Sequence, residues 1–117
     1  MPVERGIVLY DIELNGCLNG VYANEQNPTA GVIFNEIARK IKNTRGIIGE
    51  YDCFYFETGN RRQRNTRCNA ILIISPTTHA NVFKFEWLEL PSRTRVFMGV
   101  GYQMNDRQIA VHYTSAP

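Results

Sequence analysis

The chain is short of the residues from which reactive centres are usually built. Two histidines, three cysteines and one tryptophan are spread over 117 residues. Nucleophilic catalysis needs a base held against the nucleophile. Neither His79, in a turn, nor His112, near the end of the last strand, has an evident Ser or Cys and Asp or Glu partner. Cys17, Cys53 and Cys68 are odd in number and lack Cys-x-x-Cys spacing, which reads as reduced thiols rather than a disulfide framework or a zinc site. No spacing of His, Asp and Glu suits a metal. Gly99-Val100-Gly101 lacks the third glycine of a phosphate loop and falls inside a strand pattern. No catalytic residue, metal or cofactor is expected.

Long apolar runs are missing too. Nothing approaches the ~20 residues of a membrane span, and Met1 to Arg5 lack the basic start, apolar core and cleavage site of a secretory leader. The expectation is a soluble, cytoplasmic protein with no membrane partner. Net charge is only +2, which argues against a dedicated nucleic-acid binder. Hydrophobic content of 44% against 21% charged excludes wholesale disorder. A chain of this length is one domain, 1–117, burying about two thirds of the surface its unfolded form exposes.

What is present is strand pattern. In Val82 to Trp87, aromatics at 83, 85 and 87 alternate with Lys84 and Glu86. After the turn Pro91-Ser92-Arg93-Thr94, the next run sets Val96, Met98, Val100 and Tyr102 on one face and Phe97, Gly99 and Gly101 on the other. Asn105-Asp106 turns the chain into Ile109, Val111 and Tyr113, with Ala110 and His112 opposite. Earlier, Gly6 to Leu14 alternates with its dry face at even positions, and either Asn15-Gly16 or Asn19-Gly20 supplies a hairpin turn. Ile47 to Glu57, with Tyr51, Cys53 and Tyr55 on one face, and Cys68 to Ser75 complete the strands. Residues 31–43 are ambiguous: Ile33, Phe34, Ile37, Ala38 and Ile41 have helical spacing, whereas a strand would line Ile33, Asn35, Ile37, Arg39 and Ile41 along one face.

Short strands in simple succession predict an all-β fold, an antiparallel up-and-down barrel of about eight strands, because closure removes exposed edges. Within that pattern Leu18-Asn19-Gly20-Val21-Tyr22-Ala23-Asn24 resembles the Leu-x-Gly-x-Trp-x-Asn opening of avidins, with tyrosine in place of tryptophan. Ile48-Gly49-Glu50-Tyr51 is similar to their Leu-x-Gly-x-Tyr strand, and Trp87 followed by Thr94 to Gly99 resembles their Trp and Thr-x-x-Phe-x-Gly strands. The resemblance to avidin-like and lipocalin-like barrels implies that residues 31–41 form a strand. It also implies a pocket with Asn24 and Tyr51 as hydrogen-bonding groups and Trp87 and Phe97 as apolar walls; the strand pattern itself adds Tyr55 to the apolar walls and Tyr102 as a further candidate for the lining. Cys53 stands where the family has a better polar partner, and the further tryptophans are missing, so biotin itself is disfavoured.

The leading expectation is therefore a non-catalytic barrel holding a small, partly apolar molecule in its mouth. One alternative is a filled barrel that assembles with copies of itself. Another is a weak RNA or single-strand binder using Arg61, Arg62, Arg64 and Arg67 as an anion patch, although arginines guarding a strand edge explain the same cluster. Glu36, Glu50, Asp52 and Glu86 read as carboxylates on wet strand faces.

Overall fold

The computed structural model describes residues 4–25, 34–42, 46–57 and 66–116. Eight strands follow one another: β1 (Arg5–Ile12), β2 (Leu18–Asn24), β3 (Phe34–Lys40), β4 (Gly49–Glu57), β5 (Thr66–Pro76), β6 (Val82–Glu89), β7 (Thr94–Asn105) and β8 (Gln108–Ser115). Each pairs antiparallel with the next, and β1 pairs with β8, so the sheet closes in up-and-down order. No helix occurs among the described residues.

Local chemistry explains where the chain turns. Gly16, at φ 85°, closes the β1–β2 hairpin by donating its N–H to the Glu13 carbonyl at 2.9 Å, while the Asn15 side chain accepts from the Cys17 N–H at 3.0 Å. Asn15-Gly16 is thus the turn, and Asn19-Gly20 lies within β2. The helix-spaced stretch is strand β3 over 34–40. Its backbone groups pair with Leu18 to Tyr22 on one side and with Tyr51 to Tyr55 on the other, and a helix there would leave both ladders open. Residues 31–33 and 43 of that stretch lie outside the described residues.

Strand parity builds the core. Val8 and Tyr10, Leu18 and Tyr22, Tyr51, Cys53 and Tyr55, Phe83, Phe85 and Trp87, and Ile109, Val111 and Tyr113 all point inward and are buried. β7 contributes its glycine row to the interior, whereas Val100 and Tyr102 face outward. The reason is space: a Cβ at Gly101 would run into the Phe85 ring, and one at Gly20 would come within 2.8 Å of the Tyr10 ring. The two rings, whose lanes these glycines open, stack with centroids 6.1 Å apart. Burying an aromatic side chain of this kind contributes about 1.5–3 kcal/mol.

Two ends follow from the topology. The start of β1, the end of β8 and the β2–β3, β4–β5 and β6–β7 connections share one end, here the terminal end; the other four connections share the opposite one.

Candidate functional site

Among the described residues the interior holds one acidic side chain. Glu36 belongs to β3, where its register partners are Gly20 of β2 and Tyr55 of β4. Tyr10 of β1 is the partner of that same Gly20. Because Gly20 has no side chain, the Tyr10 ring lies across it, and its hydroxyl donates to Glu36 Oε2. Trp87 Nε1, arriving from β6, donates to the same oxygen at 3.4 Å. The Cys53 thiol of β4 also hydrogen-bonds the carboxylate. Tyr10 and Cys53 are 0% exposed, Trp87 3% and Glu36 4%.

Burial sets the electrostatics. Loss of water pushes the Glu36 carboxyl above its ordinary range, and the bonds from Tyr10, Cys53 and Trp87 pull only partly the other way. Among the described residues no Lys, Arg or His forms an ion pair with it. Tyr10 and Cys53 are raised in turn, first by burial and then by the neighbouring carboxylate. Every buried side-chain N and O atom among the described residues has a partner. Glu36 therefore works as a polar tie across the barrel, joining β1, β3, β4 and β6, rather than as an acid or base open to a substrate.

Glu36 was expected on a wet face, and its burial is a correction. The isoleucines misled: Ile37, on the opposite parity, faces outward at 39% exposure. The one usable signal is that Glu36 shares its row with the small Ala38, beside the Tyr51, Cys53 and Tyr55 row of the neighbouring strand.

Four of the five expected pocket residues gather toward the terminal end. Asn24 ends β2 and is half-buried. Tyr55 meets Tyr22 edge-on, with centroids 6.5 Å apart. Trp87 and Phe97 both pack against Tyr113, at 6.0 and 5.6 Å. Tyr51 does not join them. It sits near the start of β4, where its hydroxyl donates to the Ile47 carbonyl at 2.7 Å, and burial raises its pKa to about 12. Tyr102 stands on the outer face and lines no interior pocket. Tyr22 and Tyr113 enlarge the aromatic set beyond the sequence expectation.

Arg61, Arg62 and Arg64 lie outside the described residues, and the backbone of Arg67 belongs to β5. The neighbouring Arg93 and Arg95 are engaged with Glu50 at 3.5 Å and Glu86 at 3.0 Å. Among the described residues no cluster of His, Cys, Asp and Glu suits a metal ion.

These features define a class, the small closed eight-stranded antiparallel barrel, of which calycin-like proteins are one form. Compared with known proteins, the chain matches no family model, no curated protein and no solved structure.

Proposed function

We propose that the barrel is a non-catalytic carrier or sensor that takes a small, partly apolar molecule at its terminal end, in the manner of avidin-like and lipocalin-like barrels. One observation carries this reading: Tyr22, Tyr55 and Tyr113 gather at one end of the barrel and each keeps some contact with solvent, as Phe83 does at the other end, while Tyr10, Tyr51 and Phe85 keep none. Tyr22 and Tyr55 are 8% exposed and Tyr113 6%, against 0% for Tyr10, Tyr51 and Phe85. A mostly apolar mouth with a few polar groups is the usual composition of a ligand site. Asn24 and the Tyr22 and Tyr55 hydroxyls supply the polar groups, Phe97 and Tyr113 the walls, and Trp87 lies beneath. Biotin remains a poor candidate, because the Tyr51 hydroxyl serves Ile47 instead of facing the mouth.

Trp87 is the only tryptophan, so its emission reports on this end alone. Titration with a library of amphipathic metabolites is expected to shift or quench that emission for one chemical class, with Tyr55→Ala weakening the response. A flat response throughout, together with an empty protein in native mass spectrometry of material from the host, would overturn the proposal.

A second reading, assembly with copies of itself, is favoured by a different surface.

A further inference from the structure

The outer face of β2, β1, β8 and β7 carries two complete rows of cross-strand neighbours that are apolar but for His112. The first row is Val21, Leu9, Ala110 and Tyr102; the second is Ala23, Ile7, His112 and Val100. None of these eight residues is Lys, Arg, Asp or Glu. Ile7 is 64% exposed, Val100 58%, Tyr102 52%, Val21 41% and Leu9 39%. A polar rim surrounds the rows. Asn19, Asp11 and Gln108 form the next row toward one end, the Arg5–Glu25 ion pair lies toward the other, and Lys84 flanks Val100. The face encloses an open groove of about 690 Å³.

We infer that this face docks against the same face of a second copy of the chain, about a two-fold axis lying in the plane of contact and running along the strands between β1 and β8. Three features favour a copy over other occupants. The first is relief. Ile7 and Leu9 make a ridge on β1, and Ala110 on β8 leaves a dip between Leu9 and Tyr102, one strand spacing away, about 4.8 Å. The two-fold sets the ridge of each copy over the dip of the other, so Leu9 faces Ala110 and Ile7 faces His112. It also sets Tyr102 opposite Val21, where its length spans the gap left as the two convex barrels curve apart. Such self-complementarity is what an isologous interface requires.

Extent is the second feature. Five large residues of the two rows are each 39–64% exposed, a contiguous patch of the kind that marks an interaction surface. Charge is the third. An apolar centre with a polar rim mates with itself without burying an unpaired charge, and it offers nothing to steer a nucleic acid or a charged peptide. A membrane-spanning barrel needs its apolar band all the way round, and exposed Arg39, Asp52 and Lys84 interrupt the band on the other half.

The test is sedimentation of the full chain across the micromolar range, with exposed-position variants that a correctly folded monomer tolerates. Wild type is expected at twice the 13.4 kDa chain mass. Tyr102→Glu and Val21→Lys are each expected to sediment as monomers, with Trp87 emission and far-UV circular dichroism unchanged. Mixing the two variants in equal amounts is expected to restore a dimer, because Glu at 102 then meets Lys at 21 across the axis. If either variant proves misfolded, Val100→Asp takes its place as the disrupting change. Wild type that is monomeric throughout overturns the inference, whether it stays in solution or floats with phosphatidylcholine vesicles, the latter assigning the face to a lipid surface. A dimer indifferent to these variants overturns it as well.

Discussion

The interior and the outer face of β2, β1, β8 and β7 invert the usual arrangement. A carboxyl lies inside among aromatic rings, while isoleucine, leucine and valine stand outside in water. The remaining outer face, over β3 to β6, is conventional. There Arg95 and Lys84 reach Glu86 at 3.0 and 3.7 Å, Arg93 reaches Glu50, and the Arg39 guanidinium lies over the Phe54 ring at 5.9 Å. A polar group is tolerated inside only when its neighbours satisfy it, and Glu36 meets that condition through side chains from three other strands. Ile7 and Val100 remain 64% and 58% exposed.

The largest effect expected from breaking this contrast is in the rings. Phe85→Ala would remove a side chain that is 0% exposed, stacks on Tyr10 and fills the lane over Gly101. Its loss should cost about 3–5 kcal/mol in denaturant unfolding. A cost below ~1 kcal/mol would mean that the interior is not packed as described.

Next comes the carboxyl. Glu36→Ala would leave the Tyr10 hydroxyl and Trp87 Nε1 without their acceptor while relieving a desolvated acid, for a net loss of about 2 kcal/mol and a shifted Trp87 emission. Glu36→Gln keeps the shape and sharpens the test through pH. The folded carboxyl titrates above its ordinary 4.5, so as pH rises past that value the unfolded chain releases a proton that the folded one retains. The folded state then binds more protons, and stability falls with rising pH, by at most ~1.4 kcal/mol per unit, until Glu36 itself ionises. Below 4.5 this contribution is fully present. The wild-type curve should slope down across that window relative to Glu36→Gln. Parallel curves would show that Glu36 is not desolvated.

The smallest effect is expected on the charged outer face. Glu86 is 20% exposed and its partners Arg95 and Lys84 40% and 51%, so the cluster is largely screened. Glu86→Ala should cost only about 0.2–1 kcal/mol and leave sedimentation unchanged. A change in assembly state would shift the proposed interface to this side.

Much of the fold was legible in the sequence. Alternation in Gly6 to Leu14 and in Val82 to Trp87, with Asn15-Gly16 and Asn105-Asp106 between runs, marks strands and turns where they occur. β3 was ambiguous because a seven-residue strand carrying Glu36, Ala38 and Lys40 on one row has no apolar signature on its inner face. Of the expected pocket residues, Tyr55, Trp87 and Phe97 lie toward the same end of the barrel. Tyr51 sits apart because its hydroxyl caps the chain entering β4. For the Glu36 tie the sequence offered only the small Ala38 sharing its row.

By itself, then, the sequence determined the alternation of most strands and the positions of most turns, since these depend on neighbours within a few residues, and it left β3 open. Only closure of the sheet decided which parity of β3 and β7 faces inward. Tyr10 and Trp87 meet Glu36 across separations of 26 and 51 residues. Contacts that distant carry no local periodicity; they exist because glycines at 20 and 101 leave room for rings that arrive from neighbouring strands.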